Sequence, residues 1–380
     1  MGHNYSGVAR SLRILASLDG IDAARWDALA GGNPTVSHAF LDSLHRTGCA
    51  SAASGWTPCF PTLWEGERLV AAAPAYFKSH SFGEYVFDWA WAEAYERHGL
   101  AYYPKLLAAI PFTPATGARL LAEDAASREG LARALLDLAR ESRASSLHVL
   151  FPREEDARAL RGLGLLERSG VQFHWRNAGY ESFDAFLAAL SHDKRKKIRQ
   201  ERRRVVDAGV QLRRVTGREA TGADWDFFTA CYRRTYRAHR STPYLNRAFF
   251  GMIAERMPDA LLLVIAEREG RPIAAALDIF GAGTLYGRYW GSIERVPGLH
   301  FEACYYQGME FCIERGIALF EGGAQGEHKH ARGFLPEPTR SFHWLAHPAF
   351  NRAVDDYLEQ EGAHIASYID ELNDHSPFRK

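Results

Sequence analysis

One hairpin pattern occurs twice in the chain: residues 65–73 read EGERLVAAA and residues 269–276 read EGRPIAAA. In both copies Glu-Gly predicts a tight turn, and the apolar run after it is typical of a buried strand. A second string, Phe-His-Trp, follows each copy in the same order, at residues 173–175 and 342–344. Because the hairpin pattern and the Phe-His-Trp string recur in the same order, they predict an internal duplication. The repeated unit is far longer than a solenoid repeat, so it indicates paired domains.

The repeat sets the predicted domain organisation. We place one domain at residues 1–178 and a second at residues 179–380, because each Phe-His-Trp string lies near the end of its half. A chain of 380 residues has the length of roughly two or three domains. Both halves mix strand and helix patterns. Each domain is therefore expected to be α/β (α+β), a mixed, twisted sheet flanked by helices.

Composition narrows the class of protein. Hydrophobic residues make up 47% and charged residues 24%, which excludes a disordered chain, a fibre or a small disulfide scaffold. Lys+Arg and Asp+Glu both number 46, so an overall polycation is excluded but a local basic patch is not. Five cysteines without a Cys-x-x-Cys pair predict reduced thiols. No stretch approaches about 18 apolar residues, so we expect a cytoplasmic protein without a membrane span.

The strongest charge feature is a predicted helix in which eight of the eleven residues 194–204 are basic. Ile198 and Val205 give it one narrow apolar stripe, so the remaining surface is cationic. In a neutral protein such a helix indicates a polyanion: a nucleic acid backbone, a pyrophosphate, or lipid headgroups in a peripheral membrane contact. The alternative is an exposed face whose charges pair with acids elsewhere. The candidate contacts on this helix are Arg195, Lys196 and Arg199.

A glycine-rich, charged loop, EGGAQGEHKHARGF at residues 321–334, follows a predicted buried strand. Glycines let a backbone approach a ligand closely, and titratable groups at the end of a strand are typical of a binding site. Glu327 or His328 is a candidate general base, since acylation requires a deprotonated amine. Lys329 and Arg332 are candidates to hold phosphate or carboxylate. The alternative is a tight connection with exposed charges.

Other chemistries find little support in the sequence. His328 and His330, taken with His343 and His347, lack a recognised ligand spacing, so no metal site is predicted. The Gly-x-Gly-x-x-Gly, Walker, Gly-x-Ser-x-Gly and His-Glu-x-x-His patterns do not occur. Their absence argues against hydride transfer, ATP hydrolysis, serine hydrolase chemistry and zinc proteolysis.

Four segments together resemble the FemAB-like proteins, which are described as peptidoglycan biosynthesis or recognition proteins of the GNAT acyltransferase superfamily. They are the basic stretch 192–204, RYWGS at 288–292, the helix 305–315, and above all GAQGEHK with ARGF within 323–334. The resemblance covers nearly the whole chain. It implies two tandem GNAT-like domains, which agrees with the duplication inferred independently.

The resemblance also implies acyl transfer to an amine. The better-known Fem enzymes move an amino acid from aminoacyl-tRNA to the peptide of a cell-wall precursor. Typical GNAT enzymes use acyl-CoA and bind its pyrophosphate through Arg/Gln-x-x-Gly-x-Gly/Ala before a helix. Arg295 and Gly298 match that turn, but His300 replaces its final small residue. The donor-binding positions that the resemblance adds are Arg288, Arg295, Gly298, Gly323, Gln325 and Gly326.

We therefore expect an amide-forming acyltransferase without a tightly bound cofactor. The acyl group is expected where strands 285–291 and 317–321 separate, with backbone N–H groups polarising its carbonyl. Aminoacyl-tRNA is the first candidate donor, and the acceptor is a small amine, a peptide or a lipid-linked precursor. The alternatives are an acyl-CoA-dependent transferase acting on a small amine, peptide or amino sugar, and a non-catalytic module that binds cell-wall precursor or RNA. The first half lacks the basic helix and the glycine loop, so we expect it to be degenerate.

Overall fold

The structure is a computed structural model that describes residues 10–323 and 326–379. The described chain forms two compact units, and neither is contiguous in sequence. Unit 1 contains residues 10–170 and 338–367, and unit 2 contains residues 171–337 and 368–379 within that description.

Fifteen strands and twelve α-helices are present among the described residues. The strands are β1 (Arg10–Leu15), β2 (Trp56–Pro58), β3 (Phe60–Glu65), β4 (Arg68–Ala72), β5 (Ala75–Lys78), β6 (Lys105–Ala108), β7 (Leu121–Ala122), β8 (Ser146–Leu150), β9 (Leu166–Arg176), β10 (Val210–Thr216), β11 (Leu261–Arg268), β12 (Arg271–Gly281), β13 (Thr284–Ser292), β14 (Leu319–Glu321) and β15 (Leu335–Leu345).

The helices are α1 (Ala23–Ala30), α2 (His38–Arg46), α3 (Trp89–Arg97), α4 (Ala125–Glu141), α5 (Glu154–Gly162), α6 (Phe183–Ala189), α7 (His192–Asp207), α8 (Gly222–Ala238), α9 (Arg247–Arg256), α10 (Leu299–Phe301), α11 (Gln307–Arg315) and α12 (Pro348–Asp374). A π-helical turn (Glu302–Tyr306) joins α10 to α11, and a 3₁₀ segment (Glu327–Arg332), here called the loop helix, follows β14. None of the helices described is both long and apolar enough to cross a membrane.

Unit 2 is built on a mixed sheet with the strand order β10-β11-β12-β13-β14-β9. The pairs from β10 to β13 are antiparallel, and β13 and β14 run parallel. The continuous apolar run of β11 is buried, as expected of a strand covered on both faces. Helix α8 packs on β12 and β13. The predicted α/β class is confirmed.

Unit 1 has the same strand order once two interruptions are allowed for. Its strands form two sheets, β1-β3-β4-β7 and β15-β8-β6-β5-β2. Pro58 ends β2 just before β3, and Pro74 lies between β4 and β5. Proline cannot donate a hydrogen bond to a neighbouring strand, which favours a break at such points. If β2 with β3 and β4 with β5 are taken as two interrupted strands, both units share one order, which supports the predicted duplication.

The two Phe-His-Trp strings explain why the units are not contiguous. The first string lies on β9, whose residues 174–176 pair with β14 in unit 2. The second lies on β15, whose residues 341–345 pair with β8 in unit 1. Each half of the chain therefore supplies the closing strand of the other half's unit.

This exchange differs from the predicted contiguous division at residues 178 and 179. After β15, helix α12 buries Val354 and Leu358 in a cluster with Trp91, Tyr95 and Tyr102 of unit 1. Long-range strand pairing and this apolar cluster return the C-terminal segment to the first unit. Neither feature follows from a local pattern in the sequence.

Candidate active site in unit 2

A cavity of about 250 Å³ lies in unit 2 where β13 and β14 separate. The two strands pair in parallel from Thr284–Leu319 to Tyr286–Glu321; beyond this point β13 continues while β14 ends. This is the place where the sequence predicts the acyl group. The described lining residues are Ala276, Asp278, Gly287, Arg288, Tyr289, Trp290, His300, Cys304, Tyr305, Gly322, Gly323, His328 and Lys329.

Strand β13 carries an irregularity at the cavity wall. Leu277 pairs with Tyr289 and Asp278 pairs with Gly287, so Arg288 has no residue opposite it on β12. Such bulges redirect side chains and are common next to active sites. The structure thus brings the predicted residue Arg288 to the cavity, where its Nη2 lies 3.3 Å from the Tyr289 hydroxyl, to which it donates a hydrogen bond.

The glycine loop forms another part of the wall. Gly322 and Gly323 line the cavity, as predicted for Gly323. Gly326 has a φ of +119°, and a Cβ there would lie 2.4 Å from the His328 ring, so only glycine fits. The predicted contact Gln325 lies outside the described residues.

The structure separates the two candidate bases. His328 lines the cavity, and its Nε2 lies 3.0 Å from the Tyr305 hydroxyl. Desolvation, followed by the positive charges of Lys329 and Arg332, lowers the pKa of His328. Its imidazole is therefore neutral near pH 7 and able to accept a proton. Glu327 is exposed, as His328 also is, but Glu327 does not line the cavity and accepts a hydrogen bond of 2.7 Å from the Tyr368 hydroxyl.

The two predicted cations of the loop helix also differ in placement. Lys329 lines the cavity, is 2% exposed, and donates from Nζ to the Gly323 carbonyl at 2.9 Å. Burial lowers the pKa of Lys329 to about 8. Arg332 is buried away from the lining, and its Nη2 donates to Glu201 Oε1 at 2.6 Å. Arg332 therefore ties the loop helix to the basic helix α7.

Helix α7 has an inner and an outer set of charges. On the inner side, Arg202 donates twice to Glu302, at 3.0 Å each, and once to Glu310 at 2.7 Å. On the outer side an open groove of about 460 Å³ contains the three predicted contacts. Its described lining residues are His192, Arg195, Lys196, Arg199, Gln200 and Arg203.

The turn that resembles a pyrophosphate-binding motif does not line the cavity. Arg295 is exposed, and Gly298 has a φ of +87°. A Cβ at Gly298 would lie 3.0 Å from the Glu201 carbonyl oxygen, so this glycine permits close packing of the turn against α7. His300 does line the cavity and packs its ring 5.6 Å from that of Trp290, centroid to centroid. Burial lowers the pKa of His300 to about 4.

Sequence reasoning assigned no site role to several residues of the cavity lining, among them Asp278, Cys304 and Tyr305. Asp278 interrupts the apolar run of β12. A single carboxylate in a strand that is otherwise apolar could have indicated a functional residue. Cys304 and Tyr305 lie in the π-helical turn, a feature that often marks functional sites. No local pattern of the sequence predicts the π-helical turn. Within the described ranges, no three His, Cys, Asp or Glu side chains are grouped so as to hold a metal ion.

The chain matches the FemAB-like family, described as peptidoglycan biosynthesis/recognition, over residues 17–380. Among solved structures it is similar to FemX, with 12% identity and a TM-score of 0.53 over 90% of this chain and 100% of that one. It is similar to L-PGS from Bacillus licheniformis, with 10% identity and a TM-score of 0.54 over 90% and 97% of the two chains. A tandem GNAT protein from the clavulanic acid biosynthesis pathway aligns with 12% identity and a TM-score of 0.45 over 89% and 99%.

No curated protein sequence matches the chain significantly. At these identities the solved structures establish only the fold, and the match to the family model establishes membership of the family. The predicted family and fold are thereby confirmed. The chain belongs to the FemAB-like family, described as peptidoglycan biosynthesis/recognition.

Proposed function

We propose that unit 2 transfers an aminoacyl group from aminoacyl-tRNA to an amine of a cell-wall precursor or related peptide. The observation that carries this proposal is the unpaired basic face of α7, in the same unit as the cavity. The Arg332–Glu201 ion pair joins that helix to the loop helix beside the cavity. A polyanion held on α7 would therefore lie on an element that is fixed to the cavity wall.

The charges on α7 favour a polyanion over internal ion pairing. Arg199 lies 3.5 Å from Asp184 with both side chains mostly exposed, and Arg202 is paired inward. Within the described part of the chain, the other basic side chains of the helix form no ion pair. They are Lys194, Arg195, Lys196, Lys197, Arg203 and Arg204. In a protein of zero net charge, this unmatched face is suited to phosphates.

The cavity supplies what amide formation from an ester needs. The amine nitrogen forms a bond to the carbonyl carbon, the ester C–O bond breaks, and the ribose oxygen leaves with a proton. Neutral His328 can take the proton from the amine and return it to that oxygen. Lys329 and Arg288 place positive charge beside the cavity for the oxyanion that develops. An activated ester needs positioning more than covalent catalysis.

Binding of labelled tRNA, measured by fluorescence anisotropy across a salt series, tests the donor. We expect log K to fall steeply with log salt, because several phosphate contacts release counterions. The triple variant K196Q/R199Q/R203Q should weaken binding and flatten the slope. The matched control is R233Q/R234Q/R237Q, which removes the same charge from exposed positions on α8 of the same unit.

Two results would contradict the proposal. If unmodified protein fails to bind tRNA, aminoacyl-tRNA is not the donor, and acyl-CoA becomes the candidate. If both triple variants weaken binding equally, the face of α7 is not the contact surface. Acetyl-CoA is added as a competitor, because displacement of bound tRNA would show that the two share a groove.

A further inference from the structure

Asp278 is a buried carboxyl at the cavity, and one of its oxygens has no hydrogen-bond donor among the described residues. It lies on the central strand β12, is 2% exposed, and lines the cavity. Among the residues that the structure describes, none donates a hydrogen bond to its Oδ2. Gly287 on β13 pairs with Asp278. A Cβ at Gly287 would lie 3.6 Å from Asp278 Oδ1, so the glycine leaves the carboxyl uncovered at that position.

An unsatisfied buried carboxyl is costly, and its presence requires an explanation. Leaving a buried polar group without a hydrogen bond costs about 1–3 kcal/mol, and more when it is charged. Burial raises the pKa of Asp278 well above its ordinary value and so disfavours the charged carboxylate. A ligand that brings a positive charge would ionise the carboxyl and supply the missing hydrogen bonds.

The rest of the lining shows where such a charge could bind. Asp278 is the one carboxylate among the described lining residues, whereas Lys329 and Arg288 are cationic. Among the charged groups of the described lining, an ammonium would be repelled by these two cations and attracted by Asp278. The charges of the cavity therefore distinguish a ligand with an amino group from a ligand of the same shape without one.

We propose that Asp278 binds the free amino group of the transferred group, and so selects aminoacyl donors over donors of plain acyl groups. This inference rests on the proposed function, since it takes the cavity to hold the transferred group. With its ammonium at Asp278, the group would present its carbonyl toward the cationic side of the cavity. Asp278 is thus a specificity-determining residue that binds the donor and takes no part in the proton transfers.

Calorimetric titration of the full chain with two synthetic nucleosides tests the inference. The probes are 3′-glycylamido-3′-deoxyadenosine and 3′-acetamido-3′-deoxyadenosine, which differ by one ammonium and resist transfer through their amide linkage. Unmodified protein should bind the glycyl probe about tenfold more tightly or better, the effect of one charged hydrogen-bonded contact. D278N should lose this preference. The matched control D226N changes an exposed carboxylate of the same unit and should keep it.

The outcomes separate the two claims. Equal binding of both probes by unmodified protein overturns the role of Asp278 and leaves the proposed function standing. Binding of neither probe overturns the placement of an aminoacyl end in the cavity, and the proposed function with it. A preference that survives in folded D278N also overturns the role of Asp278. If D278N does not fold, the comparison of the two probes on unmodified protein still shows whether the cavity prefers a ligand with an amino group.

Discussion

The two units share one strand order but differ at the place where their parallel strands end. In unit 2, β13 and β14 separate around a cavity. In unit 1, β6 and β8 pair in parallel from Leu106–Leu147 to Ala108–Val149, and the segments that follow them stay together, with Gly117 bridged to Pro152. Residues 109–115 and 118–122 are all buried.

The buried segment after β6 makes hydrogen bonds within its own unit. Arg119 is fully buried and donates from Nη2 to the Ala115 carbonyl at 2.6 Å. Asp156 accepts hydrogen bonds from the backbone N–H groups of Arg119 and Leu120, at 2.7 and 3.1 Å. Buried charge in unit 1 is paired, since Lys105 pairs with Glu84 at 2.7 Å and with Asp88, whereas no residue that the structure describes donates a hydrogen bond to Oδ2 of Asp278. At the end of the parallel strands, unit 2 therefore has an open cavity and unit 1 has a buried segment. The degeneracy of the first half stays a prediction.

The largest expected effect comes from removing one member of a buried ion pair in each unit. K105M leaves Asp88 without its cation and leaves Glu84 with only Lys78, at 3.8 Å, and R332M removes the cation of Glu201. Each should destabilise the protein by about 3–5 kcal/mol, because an uncompensated buried charge remains. Urea unfolding measures this cost, and turnover is measured under native conditions. K105M should keep its turnover per folded molecule, while R332M should lose it; equal losses would contradict a division of labour between the units.

A second prediction concerns His328. H328A should lower turnover about 100-fold, the lower end of the range for general acid–base catalysis, without a change in the urea midpoint. H98A, at an exposed histidine of unit 1, is the control and should be neutral. E327Q should reduce turnover less than H328A, because Glu327 lies outside the cavity lining. A larger loss in E327Q would reverse the assignment of the base.

A third prediction concerns acid. Burial lowers the pKa of His148 to about 3 and of His45 to about 4 in unit 1, and of His174 to about 4 in unit 2. A histidine kept neutral in the folded state stabilises fully above its unfolded pKa of 6.5, and this contribution is lost as pH falls below 6.5. At pH 5 the loss from His148 alone is about 2 kcal/mol.

Urea midpoints at pH 7 and pH 5 measure this loss, and hydrogen exchange assigns it to a unit. H148Q should reduce the acid sensitivity of unit 1 relative to the unmodified chain. Sensitivity to acid that is unchanged in folded H148Q would show that His148 does not set it.

The smallest expected effect is a change in the free energy of unfolding of K196Q/R199Q/R203Q, the variant designed to impair tRNA binding. K196Q/R199Q/R203Q removes exposed charges and should change the free energy of unfolding by no more than about 0.5 kcal/mol. Its helix is held by Ile198 and Val205, which are buried, and by the inward pairs of Arg202. A large destabilisation would mean that the outer face is structural.

Local features of the sequence predicted much of unit 2. The charge run on α7 and the glycine loop were predictable, because each rests on composition or spacing over a short segment. The separation of two strands was expected only from the resemblance to the FemAB-like proteins. The exchange of β9 and β15 was not, because strand pairing between distant segments leaves no local periodicity. The burial of Arg332 and the absence, among the described residues, of a hydrogen-bond donor to Oδ2 of Asp278 depend on neighbours brought together only by the fold.

Transfer of label from aminoacyl-tRNA is the most direct test of the central claim, that the cavity of unit 2 performs amide formation. Unmodified protein is mixed with tRNA charged with radiolabelled amino acids and with cell-wall precursor peptides, and the label is followed into an alkali-stable product. We predict that label passes to the peptide amine, that H328A slows the transfer about 100-fold, and that H98A does not. Transfer at an unchanged rate by H328A, or no transfer by unmodified protein that binds tRNA, would contradict the account.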